Sequence, residues 1–433
     1  MSTDAMYNAE SRYLHQKFVI HFTTTKTLEV LQGTYLVSSS ILEDSYKATD
    51  SPFGEVTSNE LTLTLYDENG MFNPVNKQSP YFGMIKRGIK IEAFIRPDET
   101  EEWDPLGVFY VNDWTTSTSG MTADITANDS LYKVLNGAVP TMPIYRNRIL
   151  SEFLVEYFSF FDCTVIVDKS LDIVIPFIYT SDHSSNKQFL TDLMLGAMAD
   201  CFCDHTGTIR VVSKVNTGDV RAKLTDNDQI ITASIKHTIL NNYDSAVVTY
   251  HVGQDSKDTL LLSVNSIPVE VGTHSTGKLE FSTHPVLAVK AIKVISDQIV
   301  KPLSYVSNAK EFECTLQSSA EASISLDVTG TTLDFISSVL GAPLDAPLKL
   351  SSKFLQDKAI ANAVYEYAKA YVEASTPTLE LAVRGNPKLQ LGDKIEVDSS
   401  YYRINYVGTI IGATYNYSGS LSCKLTLAML GGA

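Results

Sequence analysis

The chain has 433 residues, too many for one ordinary core, which points to about two to four domains. Hydrophobic residues make up 44% and charged residues 19%, a balance that excludes a disordered chain. With 50 acidic against 34 basic residues the net charge is −16, which disfavours adhesion to phosphate backbones and argues against sequence-specific nucleic-acid binding.

The N-terminal part reads as β. Residues 17–22 alternate, with Phe18, Ile20 and Phe22 on one face. Strands are expected at 28–31, 35–42, 60–66, 89–95, 108–114 and 121–127. Gly33 marks a turn, and Asp67-Glu68-Asn69-Gly70 reads as a hairpin-type turn. Strands this short and this frequent suit a sandwich or barrel.

Near Asp129 the pattern changes. Asp129 or Ser130 can cap a short helix over 131–135 that Gly137 stops. Residues 148–161 place Leu150, Phe153, Leu154, Tyr157, Phe158 and Phe161 at helical spacing, and 185–198 reads as a second helix. With strands at 163–167 and 208–213, this stretch is a small α/β module.

Beyond Asp226, strands are expected at 229–237, 245–251, 290–295, 311–316 and 324–328, and a short helix at 333–340 ended by Gly341. Residues 354–374 are the strongest helix, with Ile360, Val364, Tyr367 or Ala368, and Tyr371 recurring and Pro377 behind. The tail returns to strands at 379–383, 394–398, 401–406, 409–417 and 421–428, the last two joined by a Ser418-Gly419-Ser420 turn.

Chemistry-bearing constellations are sparse. No His-Glu-x-x-His helix, Gly-x-Ser-x-Gly elbow or Gly-Lys-Ser phosphate loop occurs. Cys201, Cys203 and His205 lie close enough to consider a metal, but paired zinc cysteines are usually separated by about two to four residues and a fourth ligand is not evident. Buried cysteines packing as small apolar groups are the simpler reading. Glu101, Glu102 and Asp104 beside Trp103 could serve a glycosidase, although acidic loops are common in so acidic a chain. Tyr401, Tyr402, Tyr406, Tyr415 and Tyr417 could form a sugar-binding face or pack across strands. No catalytic, cofactor-binding or metal-binding residue is therefore assigned, and no enzyme activity is expected. The five cysteines (Cys163, Cys201, Cys203, Cys314 and Cys423) are too few for a disulfide scaffold and fit a reducing cytosol. The N-terminus lacks a signal-peptide pattern, and no apolar run reaches membrane-spanning length.

Two segments carry a resemblance. The first runs from Phe53-Gly54 through Ser58-Asn59-Glu60-Leu61, Asn69-Gly70-Met71-Phe72-Asn73-Pro74 and Ser79-Pro80-Tyr81-Phe82-Gly83 to Gly88. The second is the long helix followed by Val383-Arg384-Gly385-Asn386-Pro387 and Leu391-Gly392-Asp393. Together they resemble the baseplate hub and tail-tip hub proteins of tailed bacteriophages. The resemblance implies a mainly β fold with α+β inserts: two β-barrel tube domains plus smaller α/β and β modules. The implied division is a first tube domain over 1–128, an α/β insert over 129–225, a second tube domain split between 226–265 and 375–433, and a β-rich insert over 266–374 that ends in the long helix.

It further implies a homotrimer in the virion, assembled in the host cytoplasm. Its partners would be a distal tail or tail tube protein, a spike, fibre or other tail-tip protein, and the tape measure protein. DNA would pass through its lumen without sequence-specific binding. With the last expected strand a few residues before Ala433, no lytic domain is expected after it. The same architecture would serve a phage-derived injection device or tailocin. Readings of another class are a carbohydrate-binding adhesin and a cell-wall hydrolase.

Overall fold

The computed structural model describes residues 6–7, 12–45, 55–117, 121–214, 218–226, 230–236, 243–373, 378–401 and 403–429. Alternation builds the N-terminal strands as expected: β1 (Leu14–His21), β2 (Thr27–Leu31), β3 (Leu36–Asp44), β4 (Glu60–Tyr66), β5 (Lys90–Pro97), β6 (Asp104–Ser117) and β7 (Thr122–Asn128). In β4, Leu61, Leu63 and Leu65 are buried while Glu60, Thr62 and Tyr66 are exposed. The Asp67–Gly70 turn does not close a hairpin, because β4 and β5 are not neighbours. It opens a link to β5 that steps in three-residue turns, with the amides of Gly70, Asn73, Asn76, Ser79 and Phe82 each donating to the carbonyl three residues back.

The α/β module follows: α1 (Ser130–Leu135), β8 (Tyr145–Ile149), α2 (Leu150–Ser159), β9 (Val165–Val167), β10 (Val174–Ile178), α3 (Asn186–Ala197), β11 (Ala199–Cys203) and β12 (Ile209–Ser213). Asp129 caps α1, accepting from the Leu131 and Tyr132 amides. The apolar stripe of α2 packs on Phe189, Leu190 and Leu193 of α3. β13 (Ala222–Thr225) and β14 (Ile230–Lys236) then rejoin the main sheet.

The next strands are β15 (Ser245–Asp255), β16 (Thr259–Val269), β17 (Gly272–Ser275), β18 (Leu279–Glu280), β19 (Val286–Ile295), β20 (Val300–Ser307), β21 (Glu311–Ser318), β22 (Ala322–Leu340) and β23 (Pro347–Ser351). They form a five-stranded and a four-stranded sheet, with Leu262, Phe281, Phe312, Leu316, Leu326 and Val328 buried together. The helix expected at 333–340 is instead the end of β22, where Leu333–Leu340 pairs with Val248–Asp255 of β15. The implied second tube domain groups 226–265 with 375–433. In the structure β15 and β16 pair with β22, and β15 also with β23.

The long helix is α4 (Lys358–Glu373), which buries Ala361, Val364 and Ala368 against Val248, Leu348 and Leu350. It starts later than the apolar pattern suggested, because Asp357 accepts from the Ala359 and Ile360 amides and sets the first turn there. Phe354, ahead of the helix, packs against the glycine of α3: a Cβ on Gly196 would lie 2.9 Å from the Phe354 Cβ. The tail strands are β24 (Thr378–Val383), β25 (Lys394–Ser399), β26 (Ile404–Tyr417) and β27 (Leu421–Met429).

The fold is mainly β with α+β inserts. The described N-terminal and C-terminal strands, expected as two barrels, join in one 13-stranded sheet through β3 and β26. This sheet contains an internal repeat. The order β3-β4-β7-β6-β5 recurs as β14-β24-β27-β26-β25. Register shifts interrupt β3/β4 between Leu36 and Ser38 and β14/β24 between Ile230 and Thr232. They interrupt β6/β7 between Val111 and Asp113 and β26/β27 between Ile410 and Gly412. A row across the first unit, Ile41-Leu61-Ala127-Val111, matches Ile235-Leu379-Leu427-Ile410 in the second. Two bulges at matching places mark the units as copies of one plan.

Candidate functional site

The Gly-Asn-Pro segment and the buried groups around it tie the sheet to the α/β module. Gly385 has φ +89° and Gly392 φ +83°, which glycine adopts without strain. Between them the Leu389 amide donates to the Asn386 carbonyl at 3.1 Å, and the Asn386 side chain accepts from the Lys388 amide at 3.0 Å. The loop is held from both sides by distant residues. Arg12 donates to the carbonyl of Gly385 at 2.8 Å and also to those of Arg384 and Tyr7. From the α/β module, His205 Nδ1 donates to the Pro387 carbonyl at 2.7 Å.

The second ring nitrogen of His205 lies 2.7 Å from Glu43 Oε1 on β3, with side chains only 2% and 3% exposed. By distance this is an ion pair, although the Nε2–H direction misses the line of a hydrogen bond. The ring stands edge-on to Tyr415, at 5.9 Å and 79°. Tyr415 in turn donates to the Leu389 carbonyl at 3.0 Å. Burial works to lower the His205 pKa, but Glu43, the Pro387 carbonyl and Asp204 outweigh it and hold the imidazole above its usual range. With an acceptor facing each nitrogen, the ring is suited to the doubly protonated form. Asp393 accepts from the Gln390 amide at 2.9 Å and from Arg221 at 3.1 Å; burial nonetheless pushes its carboxyl up.

The other groups considered from sequence do not converge. Cys201 and Cys203 lie in the α/β core, their thiols pushed up by burial, while His205 is committed to Glu43 and Pro387. Among the described residues no group of three His, Cys, Asp or Glu side chains could hold a metal ion. Glu101 and Glu102 are exposed, whereas Asp104 accepts from the Tyr7 hydroxyl at 2.8 Å. Trp103 lies under Lys17 and Arg96, at 4.5 and 5.1 Å. Tyr406, Tyr415 and Tyr417 are buried in the sheet and Tyr401 is exposed on a turn, so these four do not share an open aromatic face; Tyr402 lies outside the described residues.

The sequence reading missed the His205–Glu43 joint, and it gave the repeat only as a shared plan of short strands at the two ends of the chain, without matching residues. A signal for the repeat was present: Gly88-Ile89-Lys90-Ile91-Glu92 and Gly392-Asp393-Lys394-Ile395-Glu396 share Gly-x-Lys-Ile-Glu. Both lead into equivalent strands with equivalent bonds. The Gly88 amide donates to the Val111 carbonyl at 2.8 Å, and the Gly392 amide to that of Ile410 at 2.9 Å.

No family model and no curated protein matches the sequence. The fold, however, is shared with solved structures. The 43 kDa tail protein of prophage MuSo2 from Shewanella oneidensis superposes with a TM-score of 0.55 at 10% identity, covering 95% of this chain and 98% of that one. A tail protein from Neisseria meningitidis MC58 also gives 0.55 at 10% identity, covering 96% of each chain. At this identity the likeness is one of fold.

Proposed function

We propose that the chain is a structural hub subunit of a bacteriophage tail tip or baseplate. The internal repeat carries this reading: one chain supplies two copies of one strand plan in a continuous sheet. The fold shared with two tail proteins over nearly their whole length supports it. In this reading three subunits present six such units in a ring. The ring joins a tail tube or distal tail protein to a spike, fibre or other tail-tip protein, contacts the tape measure protein, and lets DNA pass. The role is structural and non-enzymatic. The equivalent ring of a phage-derived injection device has the same geometry. An acidic lumen, expected from the net charge of −16, would limit phosphate adhesion.

Native mass spectrometry of the full chain, alone and with its tail partners, tests the reading. Trimers are expected. A chain that stays monomeric with those partners, or that degrades cell-wall polymer, would overturn it.

A further inference from the structure

β20 is open to solvent along almost its whole length. Every residue from Lys301 to Ser307 is exposed, although the strand pairs with β21. Tyr305 and Val306 are neighbours and so point to opposite faces of the sheet, yet they are 46% and 75% exposed. With Ile295, Ile299 and Leu303 they make five large apolar side chains exposed within the β19–β20 hairpin. Single exposed apolar residues are ordinary on a protein surface, whereas a concentration of them marks a contact.

The charge around them departs from that of the chain. Residues 281–310 hold four lysines and one acid, Asp297, whereas the whole chain has a net charge of −16. Lys290 and Lys310 pair with Asp258 and Glu280 from outside this segment. Lys293 and Lys301 are exposed and make no ion pair among the described residues. Asp327, opposite Lys293 in the ladder, accepts from the Ser263 hydroxyl.

Two features decide what can cover the strand. Its second edge has no strand among the described residues, and that edge is blunted: it carries Lys301 and Pro302, and the register with β21 slips between Pro302 and Ser304. Such devices disfavour the addition of a partner strand, so side chains make the contact. Those side chains project from both faces. A folded partner packs on one face of a strand, whereas the headgroup layer of a bilayer is fluid and surrounds both.

We propose that the β19–β20 hairpin is a membrane-contact element: Ile299, Leu303, Tyr305 and Val306 seat in the headgroup layer of an anionic phospholipid bilayer while Lys293 and Lys301 meet lipid phosphates. Apolar burial and the attraction of lysines to anionic lipid add in such a contact. Tyrosine favours this layer, where its ring is apolar and its hydroxyl stays wet. The same anionic surface repels the rest of so acidic a chain, so the hairpin approaches first. The inference does not depend on how many copies form a ring.

Flotation of the full chain with unilamellar vesicles is the test. Vesicles of equal parts phosphatidylglycerol and phosphatidylcholine should carry the protein, and pure phosphatidylcholine vesicles should carry clearly less. Leu303→Ser combined with Val306→Ser should lower partitioning into the mixed vesicles by roughly tenfold or more. Lys293→Gln combined with Lys301→Gln should do the same. Val155→Ser combined with Phe160→Ser, both exposed on the α/β module, should leave partitioning unchanged. Because all of these side chains are exposed, the variants should keep the unfolding midpoint of the wild type. Hydrogen exchange on the unmodified chain is the second measurement. Amides of 299–307 should slow by roughly tenfold or more on the mixed vesicles while those of 27–31 do not change. Absence of binding to the mixed vesicles overturns the proposal. Binding that survives both β19–β20 pairs of substitutions, or that leaves exchange at 299–307 unchanged, also overturns it. Self-association that Leu303→Ser with Val306→Ser abolishes, in a chain that ignores vesicles, assigns the strand to a second copy instead.

Discussion

His205 and Glu43 approach to 2.7 Å in the interior and join two modules, since one belongs to the β11–β12 turn and the other to β3. A buried pair of this kind contributes little net energy while intact, but removing one partner leaves a desolvated charge. Glu43→Ala should cost about 3 kcal/mol or more in denaturant unfolding. His205→Ala combined with Glu43→Ala should cost less than the sum of the singles. Additive losses would show that the two groups do not interact.

The same pair sets a pH dependence. The folded pKa of His205 lies above its usual 6.5, raised against the opposing effect of burial by Glu43, Pro387 and Asp204. A raised pKa means that the folded state holds the proton more tightly. The contribution is full below about pH 6.5 and falls as pH rises through the folded value. The stability difference between the wild type and His205→Gln should therefore shrink as pH climbs above neutrality. Denaturation midpoints with a constant difference from pH 6 to 9 would contradict this.

Two glycines separate backbone strain from crowding. Gly88 has φ +81° with nothing within 4 Å of where a Cβ would stand, so Gly88→Ala should cost about 1 kcal/mol from conformation alone. Gly385 has φ +89°, and its Cβ would lie 2.8 Å from the Cys423 Cβ. Gly385→Ala should cost clearly more, about 2–4 kcal/mol. Thermal unfolding of the two variants side by side decides; equal losses would argue against crowding at Gly385.

Asp129 accepts from the amides of Asn59, Leu131 and Tyr132, linking the end of the first strand unit to α1. Burial pushes its carboxyl up to about 7, against the lowering effect of these amides. Asp129→Ala, which leaves buried donors unmatched, should destabilise by about 2 kcal/mol or more. Asp129→Asn keeps an acceptor without the charge and should be clearly less damaging. Equal effects of the two substitutions in a chemical unfolding series would rule out the acceptor role.

Local order was legible wherever one strand or helix decides its own fate. The alternation of 60–66, the helical stripe of 148–161 and the Asp129 cap follow from spacing and side-chain chemistry within a few residues. Residues 333–340 show the limit. Leu333, Ile336 and Leu340 recur at helical intervals, yet β15 supplies a partner along the whole stretch and the strand wins.

The Gly385-Asn386-Pro387 turn likewise announces itself through residues with special backbone geometry. What holds it does not, because Arg12 lies 373 residues from Gly385 and His205 lies 182 from Pro387. The repeat is the clearest division. The sequence carries Gly-x-Lys-Ile-Glu twice, a short match that spacing cannot interpret. Only strand pairing aligns the two bulges and joins β3 to β26. Periodicity reports which face of an element is buried, whereas long-range hydrogen bonding selects the element that covers it.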